Sequence, residues 1–263
     1  MIAKRIIFSL LFSNGTFCLS RNFRLQKVGD FEWLEKNYSF IRNSSSIDEL
    51  IILNVSRNYS KKDKLDFLKN VEKIKKKLFL PITLGGKIRK FFDGKNYFDS
   101  GADKVLVNSL FFDDKKVIEK IAGLYGKQAV SLMVDYKRYE KNIYAFKNNG
   151  NDKSDVIDDI FLKKLNQSCT GEIIFNSIDR DGTGTGLDLK FTNKIGNKIK
   201  KPILLMGGAG KPEHIYRCLK LKVISGVITA NLFNFLGNGL EYTRLKATEN
   251  GILLPHFQDM EKI

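Results

Sequence analysis

Histidine is almost absent from this 263-residue chain, which contains only His214 and His256. That argues against a histidine-based metal centre or a Ser-His-Asp triad, both of which need imidazole nitrogens at fixed places. His214 and His256 themselves read as surface or helix residues. Cysteine is nearly as sparse: Cys18, Cys169 and Cys218 are far apart and lack metal-ligand spacing. An odd, scattered set of thiols predicts reduced cysteines in a cytoplasmic protein. No metal and no cofactor is called for. No stretch approaches the ~20 apolar residues of a membrane span, so no membrane role is expected. The amino terminus imitates a secretion signal, with basic Lys4-Arg5 before the apolar run Ile6 to Phe12. That run is short, Asn14-Gly15 follows, and no small-residue cleavage pattern appears, so it reads as a first buried strand.

Acidic residues are outnumbered, 29 against 45 basic ones, giving a net charge of +16. Such a balance can serve nucleic acid through its phosphates. Here the lysines are spread along the chain, as in Lys61-Lys62, Lys73 to Lys77 and Lys198 to Lys201. No aromatic RNA motif or helix-turn-helix pattern lies beside them, so solvated helix faces explain most of the charge and no nucleic-acid partner is expected.

What is present is alternation. Strand patterns fall near residues 5–11, 49–54, 80–84, 104–108, 129–135, 172–176, 202–206 and 226–230. Helical patterns lie between them, including 61–78, 115–125, 155–165 and 212–221, with Pro212 suited to a first helical turn. The polar stretch 147–154 reads as a loop after the fifth strand. With 43% hydrophobic residues and a length near the ~250 residues usual for the fold, the pattern predicts an α/β chain forming a single (β/α)8 barrel domain over 1–263. Residues 250–263 read as a C-terminal tail.

Chemistry in such a barrel sits at the carboxyl ends of the strands. Three strand ends stand out: Asn176 to Thr183 after Glu172-Ile173-Ile174-Phe175, Leu84-Gly85-Gly86-Lys87, and Met206-Gly207-Gly208-Ala209-Gly210. Paired glycines let backbone N–H groups approach a phosphate closely. The context also repeats. Pro81 to Gly86 is followed by a helix and then Ala102 to Ser109; Pro202 to Gly208 is followed by a helix and then Gly226 to Asn231. Gly86 to Asn108 and Gly208 to Ala230 are each 22 positions. A shared spacing points to a half-barrel internal duplication. Each half would supply one phosphate cradle, and the two together imply an elongated substrate with two phosphates, or with one phosphorylated end and a mimic.

Over nearly its whole length the chain resembles the HisF family, the cyclase subunit of imidazole glycerol phosphate synthase in histidine biosynthesis. The resemblance is carried by Ala3-Lys4-Arg5-Ile6-Ile7, Asp48-Glu49-Leu50, Gly85-Gly86, Gly101 to Val105, Val134 to Arg138, Gly171-Glu172-Ile173, Ser177 to Thr183 and Gly207 to Gly210. It implies two anion cradles: Gly85, Gly86, Asn108 and Ser109 in one, and Gly182, Thr183, Gly207, Gly208, Ala230 and Asn231 in the other. It implies Asp135 as a catalytic acid/base group at the end of strand five. It also implies an ammonia gate of Arg5, Glu49, Lys104 and Glu172 at the amino-terminal end of the barrel. Asp103 would face a HisH-type glutaminase partner that supplies the ammonia.

The chain departs from the family at several of these places. Leu11 stands where the family has its second acid/base aspartate, on strand one. Asn54 replaces a strand-two aspartate, Lys87 a third cradle glycine, Asn176 a strand-six threonine and Asn231 a cradle serine. Lys87 either adds positive charge to the first cradle or caps a solvent-facing loop. The combination resembles HisF-like proteins encoded with surface-polysaccharide genes and implied to act in making acetamidino sugars; Leu10-Leu11, Lys27 to Asp30 and Asn176 to Thr183 carry that likeness. The expectation is a synthase subunit that takes ammonia from a separate glutaminase and delivers it to a phosphorylated or nucleotide-sugar acceptor. The histidine-pathway cyclase reaction, with Asp181 or water replacing the lost group, and non-catalytic activation of the glutaminase are the alternatives.

Overall fold

The computed structural model describes residues 3–231, 235 and 238–255. Eight parallel strands close into a barrel in the order β1 (Arg5–Ser13), β4 (Glu49–Asn54), β5 (Ile82–Gly85), β6 (Lys104–Val107), β7 (Val130–Tyr139), β10 (Glu172–Ser177), β11 (Ile203–Met206) and β12 (Ile224–Thr229). β12 pairs back onto β1, with Arg5 opposite Gly226. The duplicated segments become β5–β6 and β11–β12, which stand across the barrel from each other.

The strand sequences explain the closure. β1 is buried at every position after Arg5, as a strand covered on both faces must be. Alternate residues point to the axis, where Ile7, Leu11, Ile51, Leu53, Leu106, Met133, Ile174, Leu204, Met206 and Ile228 form an inner apolar cluster. The opposite faces pack against an outer layer of helices: α1 (Phe31–Tyr38), α2 (Phe40–Asn43), α3 (Lys61–Lys75), α4 (Phe91–Asp99), α5 (Ser109–Asp113), α6 (Lys115–Tyr125), α7 (Asp159–Gln167), α8 (Leu189–Ile195), α9 (Pro212–Leu219) and α10 (Gly239–Glu249). The helix starts follow the sequence closely: Ser60 and Asp63 form a capping box on α3, and Pro212 opens α9. Among the described residues no helix is long and apolar enough to cross a membrane.

Two hairpins extend the barrel rim. β2 (Thr16–Arg21) and β3 (Arg24–Gly29) follow β1, where the sequence showed no strand pattern. The stretch 147–154 is not the irregular loop expected. It holds the end of β8 (Asn142–Lys147), a turn at 148–151 and the start of β9 (Asp152–Val156), a hairpin built antiparallel on the outer half of β7. Its alternation is short: Ile143, Ala145 and Phe146 are buried while Asn142 is exposed. For the same reason the helix expected from residue 155 begins at Asp159, where the Asp158 carboxylate accepts from the Phe161 amide at 2.9 Å. Within the stretch read as a tail, Ile252 and Leu254 are buried and the Lys4 amide donates to Leu253 O at 2.8 Å. Residues 256–263 of that stretch, His256 included, lie outside the described residues.

Candidate functional site

Asp135 is the last inward-facing residue of β7 before the hairpin. Its carboxylate accepts from Asn176 Nδ2 at 2.8 Å and from Asn108 Nδ2 at 3.2 Å, so β10 and the residue that leaves β6 fix it from either side. Burial pushes its pKa up to about 7, against the Asn176 hydrogen bond and with help from the charge of Asp181. An acid poised near neutrality can take or give a proton under ordinary conditions. Beside it, Asn176 Oδ1 and Asn54 Nδ2 are buried without a hydrogen-bond partner. Both line the same cavity as Asp135, leaving one acceptor and one donor for a ligand. Leu11 lines it too, only 6% exposed, and offers no polar atom.

This cavity, about 300 Å³, opens over the ends of β4 to β7. Gly86, Asn108 and Ser109 line it; Gly85 lies below them inside β5 and does not. Gly86 has φ +81°, and a Cβ there would collide with Asn54 O, so only glycine fits the turn. A second cavity of about 630 Å³ lies over β11 and β12. Gly182, Gly207, Gly208, Ala230 and Asn231 line it, with Arg21 and Arg24 from the β2–β3 hairpin. Gly208, at φ +101°, approaches Gly186 O so closely that a Cβ has no room. Thr183 stands outside this cavity, its hydroxyl donating to Arg180 O at 2.8 Å.

One carboxylate joins the two cavities. Asp181 lines both and accepts from the Ser20 hydroxyl at 2.5 Å and from the Phe23 amide at 3.0 Å, while its carbonyl accepts from the Asn22 amide at 2.9 Å. The hairpin tip is thereby pinned across the barrel mouth. Burial raises the Asp181 pKa against these two donors.

The histidine biosynthesis protein family matches residues 35–238. A protein of Parasynechococcus marenigrum (strain WH8102), provisionally named imidazole glycerol phosphate synthase subunit hisF2, is 42% identical over 94% of this chain and 91% of its own length. The chain belongs to the HisF family. Imidazole glycerol phosphate synthase subunits HisF of Clostridium botulinum (strain 657 / Type Ba4) and Sulfurisphaera tokodaii are 34% and 32% identical, each over 89% of this chain.

At the other end of this HisF-family barrel, four charged side chains cross the axis. Arg5 donates to Glu49 at 2.5 Å and to Glu172 at 2.7 Å; Lys104 reaches Glu49 at 3.1 Å and Glu172 at 3.4 Å. The residues come from β1, β4, β6 and β10, so the ring spans the barrel floor. Burial alone would raise the Glu172 carboxyl, but Arg5 and Lys104, with the Ser131 hydroxyl at 2.6 Å, hold it below the ordinary glutamate range. The four ion pairs form a closed cycle, each cation meeting both carboxylates. Asp103 is exposed beside it, its carboxylate accepting from the Ile82 amide at 2.8 Å.

Sequence reasoning missed several contributors. Asn148, at the tip of the β8–β9 hairpin, donates its amide to Ser109 Oγ at 3.0 Å and lines the first cavity. Its only signal was the Asn148-Asn149-Gly150 run, which marks a turn. His214, read as an ordinary helix residue, accepts from the Gly210 amide at 3.2 Å and so steadies the loop of the second cradle. Burial, then Lys211, keeps its pKa below the usual histidine range, consistent with a neutral acceptor nitrogen.

Proposed function

We propose that this chain is the ammonia-accepting synthase subunit of a glutamine-dependent complex of the imidazole glycerol phosphate synthase kind. A separate HisH-type glutaminase docks at the amino-terminal face, against Asp103, and releases ammonia at the Arg5–Glu49–Lys104–Glu172 ring. The ammonia travels along the barrel axis to the opposite mouth. There it meets a phosphorylated acceptor held by the two cradles, and Asp135 moves the proton. One observation carries the reading: the buried Asp135 carboxylate, tuned to about 7, stands in a cavity beside a second glycine-lined cavity, with the charged ring at the far end of the same axis. The names of the relatives support the histidine-pathway acceptor, a bis-phosphorylated ribulosyl aminoimidazole carboxamide that is cleaved and cyclised.

Leu11 favours a second reading. A leucine cannot exchange protons, so the strand-one half of the family's acid/base pair is missing from the cavity. A chain altered in this way suits a different phosphorylated or nucleotide-sugar acceptor, such as one used in surface-polysaccharide synthesis. The test is steady-state turnover of the bis-phosphorylated precursor with free ammonia, alongside complementation of a strain lacking the cyclase. Turnover with complementation supports the histidine-pathway acceptor. Failure of both, in a chain that still copurifies with a glutaminase and stimulates it, rules out the histidine-pathway acceptor; glutamine-dependent amination of a phosphorylated or nucleotide-linked sugar then supports the second acceptor, and its absence supports non-catalytic activation of the glutaminase. Failure to bind any glutaminase overturns the ammonia route.

A further inference from the structure

Lys87 is at odds with its surroundings. It follows Gly85-Gly86 at the end of β5 with φ +60°, in the left-handed region where a side chain is disfavoured and glycine is ordinary. Its ammonium is half-buried and lies 5.8 Å from the centre of the Tyr59 ring, and among the described residues it has no ion pair. Asp63, a carboxylate whose field reaches it, is already engaged by Ser60 in the helix cap.

Two more cations line the same cavity, Arg57 and Arg89. Arg89 is committed to Asp113 at 3.1 Å and Asn148 at 2.6 Å. Among the described residues Arg57 hydrogen-bonds only the Phe23 carbonyl, at 3.2 Å. Burial, followed by repulsion from Arg89, lowers the Lys87 pKa below the ordinary lysine range. Positive charge is thus gathered along one side of a concavity, on a backbone that a glycine would relax, and among the described residues neither Lys87 nor Arg57 is paired with a carboxylate. A bound anion supplies what is missing.

We propose that Lys87 is a specificity-determining residue of the first cavity, contacting a phosphoryl group of the acceptor directly and selecting a doubly charged phosphoryl end over a neutral or singly charged one. The proposal rests on the reading above that the acceptor is phosphorylated. Arg57 stands beside it as the second cation with no carboxylate partner among the described residues.

The experiment titrates the full chain with inorganic phosphate by calorimetry, comparing wild type, Lys87→Gly, Lys87→Met and Lys87→Arg, with melting temperatures taken in phosphate-free buffer. Loss of one charge-assisted contact should weaken phosphate at one of two sites about tenfold or more in Lys87→Gly and Lys87→Met. Lys87→Arg should restore most of the affinity. Lys87→Gly, freed of left-handed strain and of charge repulsion, should melt higher than wild type even as it binds worse. A purely structural lysine cannot produce those opposite signs. Affinity unchanged in both neutral variants, or a lower melting temperature in Lys87→Gly accompanying weaker binding, overturns the inference. If wild type binds phosphate at neither cavity, the phosphorylated-acceptor reading fails as a whole. If it binds phosphate at both and Lys87 does not matter, only this inference fails.

Discussion

Replacing Asp135 with asparagine should make the protein's stability less sensitive to pH between 5 and 8 and leave it far less active. The carboxyl is buried and its folded-state pKa is about 7, against ~3.9 for an unfolded aspartate. Because the folded value is raised, the fold favours the protonated acid. That contribution is fully present below pH ~4 and is lost as the pH climbs through about 7. At ~1.4 kcal/mol per unit, the integrated loss between pH 5 and pH 8 is about 2–3 kcal/mol. For a chain of this size that corresponds to a fall in Tm of roughly 5–10 °C. Asparagine keeps an acceptor for Asn176 and never ionises, so Asp135→Asn should lack this component. The assay is thermal melting of both proteins at pH 5 and pH 8, paired with ammonia-dependent turnover. The variant's Tm should fall less than that of wild type by that margin, and its turnover should drop by ~10²–10⁴-fold. Identical pH dependence in the two proteins would refute the raised pKa, and near-normal turnover would refute the acid/base role.

Other outcomes follow from the same geometry. Because Leu11 leaves strand one without a proton carrier, turnover of the bis-phosphorylated precursor should lie at least ~10²-fold below that of ordinary family members, and a near-normal rate would count against the argument. Leu11→Asp should recover little and should lower Tm, because it buries a carboxylate in the inner apolar cluster beside Asp135. Asn231→Asp adds negative charge to the second cradle with almost no added bulk and should weaken phosphate there, read by calorimetry; it is a cleaner test than Gly208→Asp, whose side chain would strike Gly186 O. Arg5→Ala leaves Glu49 and Glu172 with Lys104 as their one remaining cation among the described residues, which should cost ~3–5 kcal/mol in denaturant melts, and should uncouple glutamine hydrolysis from product formation in a coupled assay. Asp103→Lys should weaken copurification with the glutaminase while leaving turnover with free ammonia intact; unchanged docking would move the interface elsewhere.

The sequence by itself determined the barrel and where its chemistry belongs. Buried parallel strands leave near-continuous apolar runs, and Glu49–Asn54 and Lys115–Tyr125 emerge as a strand and a helix at the limits their patterns set. Glycine pairs at a repeated spacing marked two places on the carboxyl-end rim, because only glycine tolerates the positive φ and close backbone approach seen at Gly86 and Gly208. The tertiary structure decided what lies across a distance. Closing eight strands brings Arg5, Glu49, Lys104 and Glu172 from four separate strands to hydrogen-bonding range, and no periodicity within one strand encodes that meeting. The rim hairpins were illegible for a related reason: β2–β3 and β8–β9 are stabilised by pairing with β1 and β7 rather than by a strong pattern of their own. The perturbed state of Asp135 was equally hidden. A sequence shows a carboxylate, but its pKa depends on how much water the folded barrel removes and on which amides, here Asn108 and Asn176, the neighbouring strands turn toward it.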